Sequence, residues 1–278
     1  MLASLALQEA EASLSSAGIV SAKAESEILL SHALGISRGE LLARLITEAN
    51  LEVGQQFSEL VELRCTRLPL QHILGTAPFR SLELKVGPGV FIPRPETEQV
   101  AQIAIDFLNF LPGQPTALDI GTGSGAIAIA LATETNASVT AIEISDKAAG
   151  FASANIASSN ADVTLIVADF LETLGSLPEF DLVISNPPYI PNGLLPIDPE
   201  VRDHDPALAL YGGEDGLDVI RDLASGVKLV LRDGGLFVLE HADGQSDAIR
   251  ELLLEQDWRS VQVHPDPTGR LRAVSAIR

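Results

Sequence analysis

The sequence predicts an α/β protein in which a small helical domain and a β-hairpin precede a larger domain with a mostly parallel, twisted sheet. Three observations support this: helical periodicity at the start, a proline-rich middle segment, and alternating strands and helices from Pro95 onward. The 278 residues suffice for one large α/β domain with a small companion. No apolar run reaches about 18 residues, so we expect no transmembrane helix.

Residues 1–74 are expected to form the helical domain, because apolar residues recur there at three- and four-residue steps. The spacing, punctuated by glycines, predicts four or five short helices. Residues 75–94 are expected to form the hairpin linker. Here Phe79–Val86 is predicted as one strand, Gly87–Gly89 as a turn and Val90–Ile92 as the returning strand.

Residues 95–278 are expected to form the larger domain. A helix should start near Thr97 or Glu98, with Pro95 in its first turn, and another should cover Leu217–Leu231. Helical segments separate the first three of five short β-rich runs, and this alternation predicts a parallel sheet with helices on both faces. The five runs are Ala117–Ile120, Val139–Ile144, Val163–Ala168, Leu182–Ser185 and Leu236–Glu240.

A glycine-rich run follows the first predicted strand of the larger domain and comprises Gly121, Thr122, Gly123, Ser124 and Gly125. Glycine lets the backbone turn tightly and approach a ligand closely. The run lies at the carboxyl end of its strand, where open α/β sheets bind ligands. It also fits the loose dinucleotide pattern G-x-G-x-x-G/A, so by itself it does not identify the ligand.

Acidic residues close the next two predicted strands. Glu143, 22 positions after Gly121, could accept hydrogen bonds from both hydroxyls of a ribose. Asp169 and Phe170 follow the third strand, where an acid can bind the edge of an adenine while a ring covers its face.

The tetrapeptide Asn186-Pro187-Pro188-Tyr189, here called the NPPY motif, follows the fourth predicted strand. It suits methyl transfer to a planar amide nitrogen, whose lone pair is delocalised and must be localised during reaction. The Asn186 side-chain oxygen and the Pro187 carbonyl could each accept one N–H hydrogen bond. The prolines stiffen the loop, and Tyr189 could lie against the planar group.

With the glycine run and Glu143, the NPPY motif resembles class I methyltransferases that act on amino groups conjugated to a planar system. Longer strings resemble the protein-glutamine N5-methyltransferases, and among these the release factor glutamine methyltransferases of the HemK/PrmC family. The resemblance runs from about residue 64 to the C-terminus. Its strings are Leu68–Gly75, Phe91–Glu98, Asp205–Leu210, Gly212–Asp218, Leu239–His241 and Asp266–Arg270.

The resemblance implies a Rossmann-like domain that binds S-adenosyl-L-methionine and releases S-adenosyl-L-homocysteine. The glycine run would hold the methionine end, Glu143 the ribose, and Asp169 with Phe170 the adenine. Asn186 and the rest of the NPPY motif would bind a glutamine in the Gly-Gly-Gln motif of a peptide chain release factor. Asp is frequent in the family at the position of Glu143, and some members carry Trp at that of Phe170, which leaves the finer geometry of the cofactor site open.

Three alternatives stay open at this point: a ribosomal-protein glutamine methyltransferase, an amino-methyltransferase for nucleic acid bases, and a non-catalytic binding module. The formal charge of −20 disfavours direct nucleic acid binding, because such proteins normally carry a basic face. The five histidines are scattered without ligand spacing, so we expect no metal site. The single cysteine, Cys65, and the absence of a basic N-terminal signal lead us to expect a cytoplasmic protein, which we expect to be a monomer.

Overall fold

The structure, a computed structural model, describes residues 2–47 and 51–278. The chain divides into two compact units. The helical unit comprises Met1–Thr76 and Pro196–His204, and the second unit, here called the sheet unit, comprises Ala77–Leu195 and Asp205–Arg278. The domain boundaries proposed from sequence place Pro196–His204 in the larger domain, whereas its contacts assign this segment to the helical unit.

The first segment of the helical unit contains five helices among its described residues. The apolar periodicity of the sequence predicted four or five. Their apolar faces meet in one core, in which Leu14, Leu29 and Leu41 are fully enclosed. Gly35 ends the second helix in the left-handed conformation, φ +64°, which glycine adopts without steric cost. The helices are α1 Ala3–Ser16, α2 Ala22–Leu34, α3 Arg38–Thr47, α4 Gln55–Cys65 and α5 Leu70–Leu74.

A buried ion-pair network holds the segment Pro196–His204 in the helical unit. The Arg64 guanidinium lies 2.6 Å from a Glu25 oxygen and 2.7 Å from a Glu200 oxygen. Arg67 also contacts Glu200, at 2.5 Å. Burial disfavours the charged form of Glu200, but hydrogen bonds from Asp198, Arg67 and Arg64 outweigh it and lower its pKa to about 2.

The positions predicted for the two hairpin strands were wrong. The two strands are β1 Thr76–Phe79 and β2 Leu82–Lys85, so a turn interrupts the strand predicted over Phe79–Val86. Arg80 makes this turn with φ +54°, and its side chain is held by Glu134 at 2.6 Å. Val90–Ile92 is not a strand; the side chains of Val90 and Ile92 are buried in a small separate cluster, and the flanking prolines have no N–H to donate to a ladder.

A seven-stranded sheet forms the centre of the sheet unit, in the order β5-β4-β3-β6-β7-β9-β8. The first five strands are parallel, and β9 and β8 are antiparallel to their neighbours. The predicted fold class, a mostly parallel sheet with flanking helices, is therefore confirmed. The strands are β3 Thr116–Ile120, β4 Ser138–Glu143, β5 Val163–Val167, β6 Phe180–Ser185, β7 Leu231–Glu240, β8 Arg259–Pro265 and β9 Leu271–Ile277.

Several element ends differ from the predictions, and β8 and β9 were not predicted. Strand β7, for example, starts at Leu231 rather than at Leu236. The first helix of the unit starts at Pro95 rather than at Thr97 or Glu98, because proline fits the first helical turn. The helix predicted to reach Leu231 ends at Gly226, since Leu231 already pairs with β6. The helices are α6 Pro95–Phe110, α7 Ala126–Glu134, α8 Asp146–Ser159, α9 Phe170–Thr173, α10 Pro199–His204 of the helical unit, α11 Ala207–Leu210, α12 Asp218–Gly226 and α13 Ser246–Glu255.

Each face of the sheet packs against its own layer of helices. Ala117 and Leu182 point to the layer that contains α6 and α7, while Leu118 and Val183 point to the layer that contains α12 and α13. Because both faces are buried, the central strands are almost continuously apolar. Among the described residues, no helix is long and apolar enough to cross a membrane.

Candidate active site

The glycine run forms a tight connection from β3 to α7. The N–H groups of Gly121 and Thr122 both donate to the Ile142 carbonyl, at 2.9 and 3.0 Å. Gly121 and Gly123 have φ of +74° and +58°, and a Cβ at either would meet no atom within 4 Å. These two glycines are therefore required for backbone conformation, and the space beside them is open to a ligand.

Asp119 lies in β3, just before the glycine run, and the sequence did not predict a role for it. Its Oδ2 accepts hydrogen bonds from the Thr122 hydroxyl, at 2.6 Å, and the Ala128 N–H, at 3.1 Å. Its Oδ1 is buried and has no hydrogen-bond partner within the described residues. Burial raises the pKa of Asp119 to about 7, against the two hydrogen bonds, which lower it. An acid near the end of an apolar buried strand is the sequence signal that could have revealed it.

Glu143 ends β4 beside the glycine run. Its Oε2 accepts a hydrogen bond from the Gly123 N–H at 2.8 Å, and its Oε1 accepts one from Ser145 N–H at 2.9 Å. A carboxylate offers about four acceptor sites, so each oxygen keeps one for a ligand. Glu143 thus also holds the loop in place, a role that the sequence did not indicate.

Asp169 and Phe170 follow β5 on the same edge of the sheet. The Ala168 N–H donates to the Glu143 carbonyl at 3.0 Å, which keeps the ends of β4 and β5 together. Asp169 caps α9, its Oδ1 accepting from Leu171 N–H at 2.9 Å. Phe170 is half-buried against the core. The structure therefore places both predicted adenine-binding residues along the edge that carries the glycine run.

The NPPY motif leaves β6, which pairs directly with β3. The Ser185 hydroxyl donates to the Ile120 carbonyl at 2.8 Å, so the motif and the glycine run start side by side. The Asn186 Nδ2 donates to the Thr97 hydroxyl at 3.3 Å and also hydrogen-bonds the Glu240 carboxyl group. In the part of the chain that the structure describes, the Pro187 carbonyl accepts no backbone hydrogen bond.

A glycine-rich segment supports the backbone of the NPPY motif. A Cβ on Gly212 would lie 2.4 Å from the Pro188 carbonyl oxygen, and one on Gly216 would lie 2.3 Å from the Tyr189 carbonyl oxygen. The same Tyr189 oxygen accepts a hydrogen bond from the Gln245 side chain at 3.0 Å. Both glycines are therefore required by close backbone approach, which is the physical reason for the string Gly212–Asp218.

The segment Phe91–Glu98 also lines this site. Thr97 contacts Asn186, and the charges of Arg94 and Glu96 act on the Tyr189 phenol, whose pKa is raised chiefly by burial. Arg94 is fixed by an ion pair with buried Asp205 at 2.5 Å. The segment thus supplies charged and polar side chains around the motif rather than only joining two parts of the chain.

Asn155 on α8 links the glycine run to the hairpin. Its Nδ2 donates to the Ser124 carbonyl at 2.9 Å and to the Lys85 carbonyl at 3.0 Å. Its Oδ1 accepts from Lys85 N–H at 2.8 Å. Sequence reasoning missed Asn155, Thr97 and Glu240, because each acts on residues far away in the chain. Within the described residues, no group of three or more His, Cys, Asp or Glu could hold a metal ion.

Comparisons with known proteins show which proteins the chain resembles in sequence and in fold. The family model of a methyltransferase small domain matches residues 82–194, and that of the PrmC N-terminal domain matches residues 6–75. A solved methyltransferase from Pyrococcus furiosus shares the fold, with a TM-score of 0.54 and 22% identity over 71% of this chain and 89% of that one. A parallel sheet with a glycine run after β3, acids after β4 and β5 and an NPPY motif after β6 defines a class I methyltransferase.

Two curated relatives narrow the class. The release factor glutamine methyltransferase of Mycolicibacterium smegmatis is 42% identical over 98% of this chain and 96% of its own length. That of Streptomyces coelicolor is 43% identical over 95% of this chain and 93% of its own length. The chain belongs to the release factor glutamine methyltransferase family. It is an enzyme, and methyltransferases of this class generally take the methyl group from S-adenosylmethionine.

Proposed function

We propose that this enzyme transfers a methyl group from S-adenosyl-L-methionine to the side-chain amide nitrogen of the glutamine in the Gly-Gly-Gln motif of a peptide chain release factor. The observation that carries the proposal is the pair of acceptors in the NPPY motif. The Asn186 amide donates its N–H groups into the protein, and the Pro187 carbonyl has no backbone donor within the described residues. The names of the two relatives support the choice of substrate.

The residues around the glycine run fit the cofactor. The buried, unpartnered Oδ1 of Asp119 suits a cationic donor such as the ammonium group of the methionine end. The open space beside Gly121 and Gly123 gives the ligand room. Glu143 would accept from the ribose hydroxyls, and Asp169 with Phe170 would bind the adenine. When bound, the cofactor supplies an electrophilic methyl group on a sulfonium.

Within the NPPY motif, the protein would act by orienting and polarising the substrate amide. Asn186 Oδ1 and the Pro187 carbonyl would each accept one N–H, which localises the nitrogen lone pair toward the methyl carbon. The substrate nitrogen would accept the methyl group that the sulfonium supplies and would release one of its two protons to solvent, so that the product is a neutral secondary amide. Pro188 keeps the loop stiff, and Tyr189 would lie against the planar amide. Preorganised partners of this kind stabilise the transition state more than the bound substrate.

A large acidic enzyme is suited to a basic protein partner, and the charge of −20 supports a protein substrate over a nucleic acid. Recognition of a folded release factor would use contacts remote from the chemistry, which can raise turnover as well as affinity. A ribosomal protein as substrate is the rival with the same chemistry. Action in the cytoplasm and a monomeric state stay predictions.

The test compares methyl transfer to an intact release factor, to a short peptide with its Gly-Gly-Gln loop, and to intact factors with that glutamine changed to Asn, Glu or Ala. We expect efficient transfer to the first, poor transfer to the peptide and none to the changed factors. Equal methylation of the Ala factor would show that another residue is modified. Preferred transfer to a ribosomal protein or to DNA would overturn the proposed substrate.

The matching test on the enzyme uses the variant Asn186→Ala. This change should slow methyl transfer by about 10²–10³ and leave cofactor binding nearly unaltered, because the acceptor acts mainly in the transition state. Asn109→Ala, at an exposed position near the end of α6, is the matched control and should keep the wild-type rate. Wild-type turnover by the Asn186 variant would exclude this residue as the catalytic acceptor.

A further inference from the structure

Glu240 is a buried carboxyl group behind the NPPY motif. It ends β7, its residue is 1% exposed, and it hydrogen-bonds the side chains of Thr97 and Asn186. Its Oε2 is enclosed and has no hydrogen-bond partner within the described residues. Because Thr97 and Asn186 are the side chains that hydrogen-bond Glu240, we expect this acid to influence the reaction through these two neighbours.

The hydrogen bonds of the Asn186 side chain determine whether its Oδ1 or its Nδ2 faces the substrate. Its Nδ2 carries two hydrogens, and the protein offers two acceptors for them: the Thr97 hydroxyl at 3.3 Å and the Glu240 carboxylate. An ionised carboxylate only accepts hydrogen bonds. A flipped amide would set its own oxygen against that carboxylate and present an NH2 group to the substrate NH2. In the orientation that the structure has, Oδ1 remains as the acceptor for the substrate NH2 group.

We propose that Glu240, together with Thr97, is a positioning residue that fixes the orientation of the Asn186 amide, so that its oxygen faces the substrate nitrogen. This inference rests on the proposed role of Asn186. It assigns a function to the acid of the string Leu239–His241 and to the threonine of the string Phe91–Glu98.

The protonation of Glu240 should then control the rate. Burial raises the pKa of Glu240 to about 7, helped by the charge of Glu96 on α6 and opposed by Thr97, Asn186 and the charge of Arg272 on β9. The Tyr189 phenol also faces it, and burial keeps that group protonated. The protonated acid can donate to Asn186 Oδ1 and so stabilise the flipped amide. The rate should therefore rise as the pH increases through about 7 and Glu240 ionises.

The test measures single-turnover methyl transfer to the intact release factor at saturating cofactor for Glu240→Gln, Thr97→Val and Thr97→Ser. The Gln side chain fills the same volume but can pair with either orientation of the Asn186 amide. We expect Glu240→Gln and Thr97→Val to lower the rate at pH 8 by about 10-fold or more, with the dissociation constant of the cofactor changed less than about 3-fold. Thr97→Ser restores the hydroxyl and should recover most of the loss.

Two readouts separate positioning from a merely structural role. The rise in rate near pH 7 should vanish in Glu240→Gln, and this variant should unfold at a temperature no lower than wild type at pH 8, because it removes a buried charge. Wild-type rates in both Glu240→Gln and Thr97→Val would overturn the inference, as would an unchanged pH profile in the former. If Asn186→Ala also kept the wild-type rate, the proposed function itself would have failed.

Discussion

The buried carboxyl of Asp119 should make cofactor binding release protons. Its pKa of about 7 means that at pH 7 about half of the free enzyme carries a proton there. A cationic donor placed at the unpartnered Oδ1 favours the ionised form, so the proton should leave on binding. From this pKa, the number of protons released is about 0.9 at pH 6, about 0.5 at pH 7 and about 0.1 at pH 8.

The assay is calorimetry of S-adenosylmethionine binding in two buffers with different ionisation enthalpies, at each of the three pH values. The difference in binding heat gives the number of protons released, and affinity should increase with pH because a proton is a product. Asp119→Asn has no carboxyl to titrate, so the release should disappear. Its affinity at pH 8 should fall by about 1.5–3 kcal/mol, the usual contribution of a hydrogen bond to a charged group.

S-adenosylhomocysteine provides the control, because it carries the same ammonium group without the sulfonium charge. It should release the same number of protons as S-adenosylmethionine if Asp119 binds the ammonium. Equal release by wild type and Asp119→Asn would refute the reasoning. So would a binding heat that does not depend on the buffer at pH 6 or 7.

Three further predictions concern the other parts of the structure. Glu143→Ala should weaken cofactor binding by about 1–3 kcal/mol in calorimetry, since ribose hydroxyls and a loop N–H lose their acceptor; a smaller loss would remove its assigned role. Gly216→Ala should lower both the unfolding temperature and the rate more than Gly269→Ala, because both have positive φ but only the first places a Cβ 2.3 Å from a backbone oxygen of the NPPY motif. Arg64→Met should destabilise the protein by about 3–5 kcal/mol in denaturant unfolding, since it leaves buried Glu25 without its cation and Glu200 with Arg67 alone. Arg44 forms an exposed ion pair with Glu40, so Arg44→Met is the control and should lower the free energy of unfolding by about 0.5 kcal/mol or less. Equal effects of the two substitutions would contradict the assigned network.

Local chemistry explains which elements could be predicted. The order of strands and helices in the sheet unit could be predicted from periodicity, and the glycine run from the backbone freedom that its φ angles require. The turn at Arg80 could not be predicted, because a non-glycine residue with φ +54° is held there by contacts with Glu134 and Glu98. The burial of Val90–Ile92 outside any sheet likewise depends on partners elsewhere in the chain.

By itself, the sequence determined the fold class, the position of the glycine run and the identity of the NPPY motif, because short segments carry these features. Only the tertiary structure showed that Asn186 hydrogen-bonds Thr97, 89 residues away, and that Asn155 joins Ser124 to Lys85. It also showed that, among the residues it describes, Asp119 Oδ1 and Glu240 Oε2 are buried without a hydrogen-bond partner. The physical reason is that a hydrogen bond depends on distance and direction in space, and a folded sheet brings together strand ends that lie far apart along the chain.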